Sequence, residues 1–343
     1  MELQVLGMAV PRAAMPTLPA MRVVVYGAGA IGGLIAGLLH AAGTEVVAIA
    51  RGAHLDAIRS GGLRVMLPEG AATYRLPAAG HPDEVDFTPD DVVLLAMKSQ
   101  HTTDALLALR AAAGDLPVVC AQNGVDNERA ALRLFSRVYG MCVMCPASHT
   151  TPGVVVGNGT PHRGILDVGR YASGTDELAG ALAGALTAAG FVSEPRPDIM
   201  RWKYRKLVMN VANAAEALCG PLDRDSELAR RARAEAEDVF AAAGLDVATA
   251  DEDRQRRGDL VRLRPVEGQR REGGSSWQSL KRGTGDIEAD HLNGEVVLLG
   301  RLHGVATPVN ALLAAKAADA ALHRRPPGET SEAALLQELS AAD

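Results

Sequence analysis

Aromatic residues are scarce in this chain: four Phe, five Tyr and two Trp make up 3% of its 343 positions. With a hydrophobic fraction of 48%, the core has to be built from Ala, Val and Leu. Cysteine is scarcer still, and Cys120, Cys142, Cys145 and Cys219 cannot staple a chain of this size. Cys142-Val-Met-Cys145 has C-x-x-C spacing, but a zinc site needs a second ligand pair that is not evident, so no metal is expected. The surrounding segment is apolar and strand-like, which marks the thiols as buried and inert. Charge of one sign is also lacking. The balance is 35 Lys+Arg against 41 Asp+Glu, a net charge of −6, without the basic block that nucleic acid requires. No uninterrupted apolar run approaches a membrane span. Residues 1–20 hold three prolines and Met15, but not the basic segment followed by an apolar one that a secretory signal needs. They read as a disordered extension or an upstream start-site artefact ahead of Met21, and the protein as cytoplasmic. Internal repeats and long low-complexity segments are missing too.

What is present concentrates in Arg22–Arg51. Val23, Val24, Val25 and Tyr26 are strand-type residues that run into Gly27-Ala28-Gly29-Ala30-Ile31-Gly32. A small-residue helix, Ile31–Ala42, ends at Gly43 and gives way to a second apolar run, Val46–Ala50. Strand, glycine turn, helix and strand within about 30 residues is the setting in which G-x-G-x-x-G binds a dinucleotide. Gly27 allows the tight turn, Gly29 lets backbone approach a pyrophosphate, and Gly32 lets the helix sit close to the strand. The helix N-terminus then faces the phosphates with free N–H groups and a positive dipole end. NAD-binding units place an acid about 20 residues further on, against the ribose 2′-hydroxyl. Here that place is Arg51, whose fork suits a 2′-phosphate, so the expected cofactor is NADP(H).

The length suggests two domains. Short strands are expected at Leu63–Val65 and Tyr74–Leu76. Asp91–Met97 and Pro117–Ala121 are near-continuous apolar runs of the kind buried on both faces of a parallel sheet. Further strands are expected over Val138–Cys145, Gly153–Val156 and Gly164–Val168, with helices at Thr102–Ala113, about Asn127–Phe135 and Glu177–Ala189. Ligands of open α/β sheets lie beyond the carboxyl ends of strands, which makes Lys98 and Asn123 candidate site residues. Past Pro195-Arg-Pro-Asp198 the signals turn helical: a long helix to Leu218, then Ser226–Ala243, Asp251–Leu263, Gly285–His303 and Pro308–His323. The expected organisation is an α/β Rossmann-type domain, 21–195, an all-helical domain, 196–325, and a tail, 326–343.

Two helical stretches complete a pattern: Trp202-Lys-Tyr-Arg-Lys206-Leu-Val-Met-Asn210-Val-Ala-Asn213, and Ser275-Ser276-Trp followed by Asp286-Ile-Glu288-Ala-Asp290-His-Leu-Asn293-Gly294. With the glycine turn, Lys98 and Gln122-Asn123-Gly124, the chain from Met21 to about His323 resembles the ketopantoate reductase (2-dehydropantoate 2-reductase) family. Lys206 and Asn210 are four apart and share a helix face. Reduction of a 2-oxo acid needs a hydride donor, a proton donor and polar groups for the carboxylate. An ammonium at Lys206 can give the proton, and desolvation would tune it toward that task. Glu288 can orient this lysine or bind a substrate hydroxyl. The resemblance implies the same roles, with Lys206 and Glu288 catalytic and Asn123, Asn210 and Ser276 at substrate. It places Lys98 between cofactor and substrate; Asn123 also borders the cofactor. Asn213 is either a further substrate contact or an interhelical hydrogen-bond residue. Two departures fall on the substrate side: the family's second asparagine, eight residues past the lysine, is Ala214, and Trp277 stands where a methionine is usual. The expected reaction is NADPH-dependent reduction of ketopantoate to pantoate. Another branched 2-oxo acid, or a non-catalytic NADP-binding sensor, are the alternatives, and a homodimer is left open as the assembly.

Overall fold

The computed structural model describes residues 21–223, 225–268 and 271–342. The expected N-terminal extension lies outside them. The first half contains β1 (Arg22–Tyr26), α1 (Ala30–Ala41), β2 (Glu45–Ile49), α2 (Gly52–Gly61), β3 (Leu63–Leu67), β4 (Gly70–Tyr74) and β5 (Ala78–Ala79). After these come β6 (Asp91–Leu95), α3 (Thr102–Ala113), β7 (Val118–Cys120), α4 (Asn127–Leu132), β8 (Val138–Met144) and β9 (Ala147–Ser148). β10 (Val154–Gly157), β11 (Gly159–Pro161), β12 (Ile165–Arg170) and α5 (Glu177–Ala188) close this half.

Seven strands form one sheet in the order β12-β8-β7-β6-β1-β2-β5. All its pairings are parallel except β12 against β8. β1 lies between β2 and β6, so the chain reverses direction across the sheet there, and a crevice opens beyond the strand ends. Both sheet faces are covered, which explains the valine run: Val23 and Val25 enter one core and Val24 the other. A smaller sheet, β4-β3-β10-β9, packs on α1.

The second half contains α6 (Ile199–Asn210), α7 (Ala212–Cys219), α8 (Glu227–Ala242), α9 (Ala250–Arg257), β13 (Val261–Leu263), α10 (Ser275–Arg282), α11 (Ala289–His303), α12 (Pro308–Leu322) and α13 (Glu332–Ala342). Its core gathers Phe240, Val239, Val296 and Leu313. Leu335 and Leu339 of α13 are buried in the same core, so the stretch read as a tail is part of the helical packing.

Several elements differ from expectation. The strand expected at Tyr74–Leu76 is displaced to Gly70–Tyr74, where it pairs antiparallel with β3. The single helix expected to Leu218 is interrupted at Val211, whose carbonyl accepts from Asn293 Nδ2 of α11 at 2.9 Å. A side chain inserted into the helical ladder is a recognised cause of such a break. The helix expected over Asp251–Leu263 stops at Gly258, which adopts a positive φ of 38°. The chain then forms β13, antiparallel to β11 of the first half. α11 begins at Ala289, with Glu288 as its N-cap, not at Gly285.

Candidate active site

A cavity of about 1080 Å³ opens at the crevice and is walled by both halves. This is at the upper end of ligand-site volumes, room for a dinucleotide and a small acid together. Tyr26, Gly27, Ala28, Gly29, Ala30 and Ile31 form one wall. Gly27 holds a φ of 102°, and a Cβ there would stand 2.5 Å from the Met97 backbone nitrogen. A Cβ on Gly32 would stand 2.2 Å from the Gly27 carbonyl oxygen. These two glycines are demanded by the protein itself. Gly29 differs: a Cβ there would meet nothing within 4 Å. Packing within the chain does not require a glycine there.

The first helical N–H with a partner is that of Gly33, donating to the Gly29 carbonyl at 2.7 Å. Those of Ala30 and Ile31 have none among the described residues, as the start of a helix requires. An open glycine beside free N–H groups fits a dinucleotide's pyrophosphate. Arg51 is exposed at the cavity edge and makes no ion pair among the described residues. His54 was not expected. Its Nδ1 accepts from the Gly153 N–H at 2.8 Å, so its proton sits on Nε2, which donates to the Ala28 carbonyl at 2.7 Å. The glycine turn is thereby tied to the loop before β10. Burial, and the His149 ring tilted against it with centroids 4.1 Å apart, push the His54 pKa down.

The opposite wall carries Lys206, Asn210, Asn213 and Glu288, facing Lys98 and Asn123. Lys206 makes no salt bridge or side-chain hydrogen bond among the described residues. Desolvation pushes its pKa below the ordinary 10.5. Lys98 is desolvated too, but it is engaged with Ser279 and with Asp286 at 3.5 Å. Asn210 Nδ2 donates to Asn123 Oδ1 at 3.1 Å. Glu288, 8% exposed, accepts from the Ser99 N–H at 3.1 Å and the Ser99 hydroxyl at 3.4 Å.

Four expectations are revised here. Glu288 does not orient Lys206, since its carboxylate is turned toward Ser99. Ser276 is buried but does not line the cavity; its neighbour Ser275 does, with Gln278 one turn on. Adjacent residues on a helix differ by about 100°, and here that turn carries Ser276 away from the cavity and leaves Ser275 on it. Trp277 is turned into the helical core, against Gly273 and below Lys281, and takes no room from a substrate. Asn213 reaches both the cavity and Ser275 Oγ, at 3.4 Å, while Ala214 is a core residue. The cysteines are free. Burial pushes Cys142 and Cys145 up to about 12, so neither is a thiolate near neutral pH.

Two family models cover most of the chain. "Ketopantoate reductase PanE/ApbA" matches residues 23–172 and its C-terminal counterpart matches 198–320. The chain belongs to the ketopantoate reductase family. It is 30% identical to a 2-dehydropantoate 2-reductase of Halobacterium salinarum, over 86% of this chain and 97% of that one. The corresponding Archaeoglobus fulgidus protein is 32% identical over 85% and 95%. The match to the Pyrococcus horikoshii protein, 33% identical, spans only 56% of this chain and 62% of the relative. Among solved structures, a PanE/ApbA family ketopantoate reductase from Ralstonia eutropha superposes with a TM-score of 0.73 at 28% identity, covering 89% of this chain and all of that one. A D-mandelate dehydrogenase with NADH and anilino(oxo)acetate shares the fold, with a TM-score of 0.75 at 22% identity and coverage of 89% and 99%.

A charged pair lies behind the cavity wall. Lys203, one turn before Lys206, is buried and lies 2.5 Å from Glu128 of α4. Its Nζ also donates to the carbonyl of Gln122 at 2.9 Å. Nothing in the sequence singles this pair out: Lys203 stands in a run of cationic residues with Arg201, Arg205 and Lys206.

Proposed function

We propose that this protein reduces a small 2-oxo acid with NADPH, ketopantoate to pantoate, with Lys206 as the proton donor. A bound nicotinamide supplies the hydride. What supports the assignment is the state of Lys206: a desolvated ammonium with no protein acceptor among the described residues, opening on the cavity that the glycine turn also faces. Burial of a charge without a partner is costly, so the site favours an oxygen on which negative charge develops. Desolvation lowers the lysine's proton affinity and makes it a better acid toward that oxygen. Lys98 already has acceptors and is less suited to the task.

Asn123 and Asn210, joined to each other, present amide groups to the same space and position the substrate. Glu288, fixed by two bonds from Ser99, has an oxygen left to accept from a substrate hydroxyl. Ser275 and Asn213 extend this polar wall. Arg51 takes the 2′-phosphate, and Gly27–Gly32 the pyrophosphate. The enzyme is assigned to the cytoplasm, and a homodimer is its proposed assembly, which light scattering checks.

The test is the consumption of NADPH, and separately of NADH, across a panel of 2-oxo acids. Ketopantoate should give the highest kcat/KM, with NADPH preferred. A different acid far ahead of it would move the substrate, and no turnover with any acid alongside tight NADPH binding would leave a nucleotide-binding protein.

A further inference from the structure

Arg271 lies in the segment between β13 and α10 and lines the cavity. Its Nε is buried without a hydrogen-bond partner, and the residue makes no salt bridge among the described residues. The carboxylate nearest to it in influence, Glu216, forms no salt bridge with it and accepts instead from the Gly274 N–H at 3.0 Å. Every other cation deep in the cavity, apart from Lys206, has a local engagement. Lys98 has Asp286 and Ser279, Arg257 has Asp253, and Arg282 has Ser279 with Asp286 and Glu288 nearby. Arg51 stands exposed at the far, cofactor end.

A guanidinium desolvated with an unmet donor is costly in the free protein and becomes favourable when an anion arrives. Arg271 and Lys206 line the same cavity, and the arginine's charge adds to the lowering of that lysine's pKa. A 2-oxo acid carries its carboxylate one bond from the ketone carbon. A group that serves the ketone oxygen at Lys206 thus leaves the carboxylate seeking a cation close by. The planar fork of arginine suits a carboxylate better than any amide in this cavity.

We propose that Arg271 is the receptor for the substrate's carboxylate, an assignment that rests on the 2-oxo acid reading above. It restricts the substrates to acids and excludes their esters, amides and lactones as good ones.

The experiment compares wild type, Arg271→Met and Arg271→Lys on ketopantoate and on its neutral lactone, with NADPH binding followed by fluorescence. For Arg271→Met the KM for the acid should rise about 10- to 100-fold. KM for the lactone and the NADPH Kd should stay within about twofold, the scatter expected when no hydrogen bond is lost. Arg271→Lys should recover part of the loss. An unchanged KM for the acid, or equal losses on acid and lactone, would overturn the assignment. If wild type turns over no oxo acid, the reductase reading fails by itself, and calorimetric titration of ketopantoate into the NADP-loaded protein then decides Arg271. Binding lost only in Arg271→Met supports the receptor; binding equal in both proteins, or absent from wild type, overturns it.

Discussion

Asn210 Nδ2 donates to Asn123 Oδ1 across 3.1 Å, and this bond spans the two halves of the molecule at the bottom of the cavity. Asn123 follows β7 of the sheet and Asn210 ends α6 of the helical half. Replacing Asn210 with Leu removes the donor and leaves Asn123 misplaced. Steady-state kinetics on ketopantoate should show kcat/KM down about 10- to 100-fold, the cost of an unsatisfied polar site. NADPH affinity should fall much less, because Asn123 is only one of the groups bordering the cofactor and the glycine turn is untouched.

The glycines separate fold from function. Gly32→Ala puts a Cβ 2.2 Å from a backbone oxygen and should lower the thermal midpoint of the free protein by several degrees, the effect of overpacking by about 1–3 kcal/mol. Gly29→Ala meets nothing and should leave the midpoint of the free protein unchanged while weakening NADPH binding. Thermal shift with and without NADPH reads both effects. A Gly29 variant that binds normally would remove the pyrophosphate from this turn.

Arg51 is exposed and has no partner ion among the described residues. Arg51→Ala should raise the Kd for NADPH about 10- to 100-fold, the value of a charge-assisted contact, and leave NADH binding alone. Fluorescence titration with both nucleotides checks it; equal loss for the two would place the 2′-phosphate elsewhere.

Behind the site, Lys203 and Glu128 form a buried pair whose side chains are 2% and 0% exposed. Lys203→Met leaves the carboxylate uncompensated and should cost about 3–5 kcal/mol in stability. Adding Glu128→Gln should return much of it, by chemical denaturation. Because Lys203 also holds the Gln122 carbonyl beside Asn123, the single variant should lose activity on ketopantoate more than it loses NADPH binding.

Much of this was legible in the sequence, for reasons that are local. Val23–Tyr26 followed by three spaced glycines combines strand propensity, a turn that only glycine permits and a helix start, all decided within one stretch. Lys206 and Asn210 share a face by helix geometry alone. What was not legible depends on partners far along the chain. β13 is a strand through its pairing with β11, and the interruption of α6 at Val211 coincides with the bond from Asn293 to its carbonyl. The choice between Ser275 and Ser276 turns on how α10 is rotated against α7. Glu288 was found by its motif, but its bond to Ser99 joins residues 189 positions apart, beyond the reach of any periodicity. Arg271 lacks a motif; only its burial without a partner distinguishes it.

The account depends on Lys206 giving its proton to the substrate, and the pH profile of kcat/KM for ketopantoate reduction, in wild type and Lys206→Ala, tests this most directly. Reduction needs the protonated lysine, so activity should be present at lower pH and fall as pH rises through a pKa that burial has moved below 10.5. In Lys206→Ala the rate should be about 10²- to 10⁴-fold lower, with that alkaline fall gone and NADPH still bound. A variant that keeps near-normal turnover and the same alkaline limb would contradict the account.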